Sequence, residues 1–233
     1  MALPYFYEPN IGTSRTLVLS EETSKHCVQV LRMQNGEALQ LTDGLGNLFS
    51  ASIADAHKRH CTVHIQQKLF IERQLKEIHI GISLLKNAAR LEWFLEKATE
   101  IGVAEIIPLL CHRTEKQHFR YDRMQNILIA AMLQSQQTWL PVLHAPTPFA
   151  QVVANSQAGI QRLIAHCEPS NKTALPQLNI QQQVQLLIGP EGDFSPTEIE
   201  SALLHKFTAV SLGSTRLRTE TAGVVAATLL ANY

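Results

Sequence analysis

Two apolar runs in the last third of the chain each stop at a glycine and then turn into a helix. The first is Leu186-Leu187-Ile188-Gly189-Pro190-Glu191-Gly192-Asp193-Phe194-Ser195; the second is Val210-Ser211-Leu212-Gly213, followed by Arg216-Leu217-Arg218-Thr219-Glu220-Thr221-Ala222. Strands buried on both faces read as continuous apolar runs, the pattern of a parallel sheet, and ligands of open α/β sheets sit beyond the carboxyl ends of such strands. With these two ends about two dozen residues apart, they are expected to form two walls of one small-molecule pocket. Ser195-Pro196-Thr197-Glu198 fits a capping box with proline at the first helical position. Thr219 is expected to cap the last helix, Thr219 to about Asn232, through its hydroxyl. A lone Gly-Pro-Glu-Gly also fits an ordinary strand-to-helix turn; the pair is harder to account for that way.

The preceding segments say what these ends are attached to. The first seventy residues read as short strands and turns. Ala38–Asp43 and Leu48–Ile53 form a hairpin around Gly44-Leu45-Gly46-Asn47, Cys61–Ile65 is another alternating strand, and His26–Arg32 is a short helix ending near Asn35-Gly36. This predicts a small β-barrel. From about residue 75 the grammar changes. Ile78–Leu85 is a buried-type strand, and Ala88–Ile101 places Leu91, Phe94, Leu95, Ala98 and Ile101 on one helical stripe closed by Gly102. A strand at Glu105–Leu110 follows, then helices at about Asp122–Thr138 and Pro148–Ala154 and a strand at Arg162–Cys167. Strands alternating with helices predict an α/β domain with a mainly parallel sheet. The polar segment Gln66–Glu77 is the expected boundary, giving domains 1–70 and 75–233.

Composition narrows the function classes. A 233-residue chain that is 45% hydrophobic and 17% charged carries enough apolar residues for a substantial core. Lys+Arg equals Asp+Glu, so any nucleic-acid surface must be a local patch. Two groups of cations are candidates: Lys25, Arg32, Lys58, Arg59, Lys68 and Arg73, and then Arg113, Lys116, His118, Arg120 and Arg123. Met1–Pro9 lacks a basic stretch and an unbroken apolar run, so no signal peptide is expected, and no run approaches membrane-spanning length. Cys27, Cys61, Cys111 and Cys167 are scattered, as in reduced cytoplasmic proteins. His57, His60, Cys61 and His64 follow no zinc spacing, so no metal is expected. Trp93 and Trp139 read as packing or rim residues, and no dinucleotide fingerprint or P-loop is present.

At this point the residues resemble a known family. Gly189-Pro190-Glu191-Gly192, Leu212-Gly213 and Leu217-Arg218-Thr219-Glu220-Thr221-Ala222 resemble the SPOUT methyltransferases, and more narrowly the 16S ribosomal RNA uridine N3-methyltransferases. The likeness extends upstream. Val30-Leu31-Arg32 within His26–Gly36 is similar to that family's PUA-like β-barrel, and Lys97–Val103 with Ile107-Pro108 to its first helix and second strand. The resemblance implies a C-terminal domain with a parallel sheet tied in a trefoil knot, S-adenosylmethionine held by the knot loops, a homodimer, a cytoplasmic location, and 16S rRNA or the small ribosomal subunit as substrate. It puts the cofactor loops at His166-Cys167-Glu168, at Ile188, Gly189, Pro190, Glu191 and Gly192, and at Leu212 and Gly213 with Leu217, Arg218 and Thr219. Three positions depart from the family's common pattern: Asp193 replaces a second glycine, Ser214-Thr215-Arg216 replaces a proline-arginine step, and Met132–Gln136 replaces a Glu-Gln-Cys-Gly-Arg run.

Methylating a ring nitrogen requires a donor held in line, departure of the imide proton, and stabilisation of charge on the flanking carbonyls. Glu191 offers a carboxylate to a ribose hydroxyl or to the donor's cationic end. Arg218 is the candidate for steadying the uridine oxygens, being always protonated and rich in donors. Glu220, or a water it holds, is the candidate proton acceptor. Arg32, Lys58, Arg113 and Arg120 are the candidate phosphate contacts. Ribose 2′-O-methylation in the same pocket, and an assembly factor without catalysis, are the competing readings.

Overall fold

The computed structural model describes residues 3–73, 76–115, 118–155 and 159–232. Lys116 and part of the expected boundary, residues 74 and 75, lie outside them. Two compact units are present, Met1–Arg73 with Met132–Leu140, and Gln74–Ala131 with Pro141–Tyr233.

The first unit is a curled five-stranded sheet: β1 (Tyr5–Tyr7), β2 (Thr16–Val18), β3 (Ala38–Thr42), β4 (Asn47–Asp55) and β5 (Thr62–Phe70), in the order β1-β3-β4-β5-β2. Alternating residues of β3 to β5, among them Leu39, Leu41, Ala51, Ile53 and Val63, close its core together with Cys61 just before β5. The short helix begins earlier than the sequence pattern predicts. It is α1 (Glu21–Lys25), followed by one π-helical turn at His26–Val30, because the Ser20 hydroxyl accepts from the Thr23 amide and sets the start. Met132–Leu140 pack on this sheet: Trp139 Nε1 donates to the Ile71 carbonyl, and the Thr42 hydroxyl donates to that of Thr138.

In the second unit every strand is parallel. The elements are β6 (Glu77–Ser83), α2 (Ala88–Ile101), β7 (Glu105–Leu110), α3 (Tyr121–Gln134, of which Met132–Gln134 belong to the first unit), β8 (Val142–Leu143), β9 (Thr147–Pro148), α4 (Phe149–Ala154), β10 (Gln161–Ala165), β11 (Thr173–Ala174), β12 (Gln183–Ile188), α5 (Pro196–Leu204), β13 (Thr208–Ser211) and α6 (Thr219–Ala231). The sheet runs β11-β13-β10-β12-β6-β7-β8, with β9 also on β7. Its central strands are apolar on both faces, as parallel pairing demands; Ile78, Ile80, Ile82, Leu186 and Leu187 are all inaccessible or nearly so. The capping box at Ser195 and Glu198 is formed in full. Helix α3 stops at Gln134, short of the expected Thr138, and Gln136 takes a left-handed conformation.

The path of α6 is the topological feature that matters. It follows β13, near one edge of the sheet, yet packs on α2, β6 and β12. Residues 212–218 must therefore carry the chain back past the end of β10, the crossing that a knotted SPOUT domain requires. Close approach of α6 to the sheet depends on Gly223, where a Cβ would sit 2.6 Å from the Phe94 ring and 3.0 Å from Ile82 Cδ1. We expect Gly223→Ala to lower unfolding free energy by up to about 2 kcal/mol, the overpacking cost of ~1–3 kcal/mol less the ~1 kcal/mol better helix propensity of alanine. Denaturant melts check this, and a gain of about 1 kcal/mol, the propensity term alone, would rule out so tight a packing.

Candidate functional site

Strands β10, β12 and β13 end level with one another. Ala165 is in register with both Ile188 and Val210, so the segments that leave these strands emerge side by side. They enclose a cavity of about 680 Å³ whose lining includes His166, Cys167, Ile188–Glu191, Ser211–Thr219 and Ala222. That volume falls in the range of roughly 300–1,000 Å³ typical of small-ligand sites.

One hydrogen bond ties the two glycine-marked ends together. The Thr219 hydroxyl, buried at the start of α6, donates to the Gly189 carbonyl at 3.0 Å. This corrects the expected role of Thr219 as a helix cap: the N-cap is Arg218, which makes no side-chain cap bond, and the threonine hydroxyl is spent across the cavity instead. Gly213 has φ of +147°, and a Cβ there would meet nothing within 4 Å, so its backbone faces open space in a conformation that side chains disfavour.

The neighbouring turn is fixed from three sides. Asp193 adopts the left-handed conformation usual for glycine, with φ of 66°. Its carboxylate accepts from the Cys167 amide at 2.7 Å and from the Phe194 amide at 2.8 Å. The departure from a second glycine thus supplies a strut between the ends of β10 and β12. Arg113 Nη1 donates to the Gly192 carbonyl at 2.6 Å, and Glu198 accepts from the His112 amide at 2.8 Å. One donor of Arg113 is therefore committed to this turn. Of the other candidate phosphate contacts, Arg32 and Lys58 are exposed on the first unit and Arg120 is exposed just before α3. Met132–Gln136, the third departure, belong to the first unit.

His166 is 8% exposed, and neither ring nitrogen has a hydrogen-bond partner among the described residues. Burial lowers its pKa, and the charge of Lys172 lowers it further, so the ring is neutral at pH 7 and presents one donor and one acceptor. Lys172 Nζ itself donates to the carbonyls of His166 and Glu168, both at 2.9 Å, folding the segment after β10 over the cavity.

A second cavity adjoins the first at Arg218, which lines both. Its other walls are Ala89, Arg90, Trp93, Glu220 and Thr221. Arg90 stands between two carboxylates, Nε 3.6 Å from Glu220 and Nη1 3.8 Å from Glu191. Glu220 is buried, and its Oε2 has no hydrogen-bond partner among the described residues. Reading the sequence alone missed Lys172, Arg90, the strut made by Asp193, and the cavity-facing position of Trp93.

Among the described residues no three His, Cys, Asp or Glu side chains are grouped to hold a metal ion, and no helix is long and apolar enough to cross a membrane.

Comparison with known proteins agrees with this architecture. Residues 72–231 match the family model described as an RNA methyltransferase domain, and residues 19–66 match the one described as an RNA methyltransferase PUA domain. The ribosomal RNA small subunit methyltransferase E of Synechocystis is 32% identical, over 97% of this chain and 76% of that one. A solved structure from Porphyromonas gingivalis is 40% identical and superposes with a TM-score of 0.90, over 97% of this chain and 95% of that one. The ribosomal RNA small subunit methyltransferase E of Neisseria gonorrhoeae, solved bound to S-adenosyl methionine, is 26% identical with a TM-score of 0.88, over 97% and 95% of the two chains.

Proposed function

The chain belongs to the ribosomal RNA small subunit methyltransferase E family, and on that premise we propose that it methylates N3 of a uridine in small-subunit ribosomal RNA using S-adenosylmethionine. The observation that carries the reading is the Thr219–Gly189 bond, which closes the two glycine-marked strand ends around the larger cavity. The cofactor supplies an electrophilic methyl group. The residues present suit it. The cavity is large enough, and the unpartnered His166 nitrogens await the polar edge of an adenine or ribose. The backbone at Gly189, Pro190, Leu212, Gly213 and Leu217 can grip an adenosine without selecting by side chain. Glu191 is the carboxylate for a ribose hydroxyl or the cationic end.

Arg218 and Glu220 are the proposed catalytic pair. Arg218 makes no ion pair or cap bond among the described residues, so its guanidinium is free to meet charge developing on the uridine carbonyls. Glu220 is the proton acceptor, with one carboxylate oxygen unengaged. RNA is gripped by Arg32, Lys58 and Arg120 through phosphates, with the curled sheet of the first unit as the RNA-binding module, and Arg113 divides its donors between the RNA and the Gly192 turn. A second copy of the chain is the proposed partner. In support, α6 from Ala222 on is apolar except for Thr228, yet Val224, Val225 and Leu229 are only half-buried.

Small ribosomal subunits from a strain lacking this protein, incubated with the protein and S-adenosylmethionine and digested to nucleosides, test the assignment. The expected product is N3-methyluridine by mass spectrometry. A ribose-methylated nucleoside, or none, would overturn it. Binding to the subunit should weaken steeply between low and high salt, since each neutralised phosphate releases counterions.

A further inference from the structure

We propose that the second cavity seats the target base: a uracil ring drawn out of its RNA stack, lying against Trp93, with its imide edge toward Glu220, Arg90 and Arg218. The inference rests on the ring-nitrogen reading above and extends it to a binding site for the substrate. The cavity, about 360 Å³, opens beside the first turns of α2 and α6 and joins the larger cavity at Arg218. A base placed there is next to the reaction partner held in the larger one.

The argument for a ligand is the state of Glu220. Its side chain is 9% exposed, Oε1 lies 3.6 Å from Arg90, and Oε2 has no hydrogen-bond partner among the described residues. A buried carboxylate oxygen without a donor is costly and rare in native proteins, so an incoming N–H is the natural remedy. Uracil presents carbonyl, N–H and carbonyl in sequence along one edge. A carboxylate with the Arg90 guanidinium beside it, and that of Arg218 on the same cavity wall, is the complement of that order. Cytosine presents an unprotonated ring nitrogen at the middle position, which would set a lone pair against the carboxylate and leave Oε2 unsatisfied. The site therefore selects uridine by the group it must deprotonate. When the imide proton passes to Glu220, the negative charge left on the ring lies between Arg90 and Arg218. It also lies at two helix N-termini, whose partial positive charge favours it.

Trp93 supplies the stacking face. It is 43% exposed on α2 despite being the largest apolar side chain there, and it borders the cavity. Extruded bases in other nucleic-acid enzymes are held between aromatic or apolar side chains. Arg90 links this site to the cofactor turn through Glu191, so the position of its guanidinium depends on both cavities.

Fluorescence and steady-state kinetics test the proposal. In a Trp139→Phe background, Trp93 is the sole tryptophan, and a decameric oligouridylate should quench it while a decameric oligocytidylate does not. With small ribosomal subunits as substrate, Trp93→Ala should raise KM about tenfold, the scale of losing one stacked base. Trp93→Phe should recover most of that loss, with S-adenosylmethionine affinity by calorimetry unchanged in both. Equal response to the two decamers, or a KM within twofold of wild type for Trp93→Ala, overturns it. So does a change of oligomeric state in Trp93→Ala without a KM effect, since the face would then be an interface between copies. If oligouridylate quenches Trp93 in the Trp139→Phe background but the wild type makes a ribose-methylated product, the uracil site survives and the ring-nitrogen assignment fails.

Discussion

Arg218→Ala should cut methyl transfer to small ribosomal subunits by at least about a hundredfold, the scale of removing one donor placed where charge develops in the transition state. The residue makes no ion pair or cap bond among the described residues and lines both cavities. The substitution should therefore leave the fold, and the melting temperature without ligand, close to wild type. The decisive comparison is between turnover and binding. A hundredfold fall in kcat with an S-adenosylmethionine affinity within a few-fold of wild type marks a group acting on the reacting base. A comparable fall in cofactor affinity with kcat preserved would reassign Arg218 to the donor, and near-normal turnover would remove it from the chemistry.

Glu220→Gln is expected to be nearly as damaging. The change keeps the volume and removes only the negative charge, and losing a positioned proton acceptor costs about 10²–10⁴-fold. The shape of the pH profile separates this role from a structural one. Without an internal acceptor the variant must lose the imide proton to solvent base, so its residual rate should climb with pH more steeply than the wild-type rate over the same range. Glu220 also neighbours Arg90 at 3.6 Å, and a purely structural role would instead show as lost stability with a parallel, merely lowered pH profile. That second pattern is the result that would sink the assignment.

Much of this was readable along the chain because it depends on local order. The Ser195–Glu198 box, the stripe of α2 with its Gly102 stop, and the two glycine-marked ends are all periodicities or short spacings, and each appears in the structure. What was not readable depends on which strands become neighbours. Thr219 looks like a cap in sequence because the rule for caps is local. Its hydroxyl goes to Gly189 only because the chain returns to the end of β12. Asp193 looks like a lost glycine until β10 lies beside β12 and brings the Cys167 amide within 2.7 Å of its carboxylate. Trp93 and Arg90 look like ordinary residues of an amphipathic helix, and only the packing of α6 on α2 sets them opposite Glu220. The end of α3 is a further case. Nothing in the pattern at Met132–Leu140 signals that this stretch packs with strands formed a hundred residues earlier.

The return of α6 has a bearing on the order of assembly. Because the walls after β10 and β12 are closed by residues 211–219, the larger cavity, the proposed compartment of the donor, cannot exist in a polypeptide whose last two dozen residues are still unmade or misplaced. Affinity for the donor is then a readout of completed chain threading, and any donor captured adds its binding free energy to the finished state alone. A nascent or C-terminally clipped molecule should accordingly be as fragile in the presence of S-adenosylmethionine as in its absence.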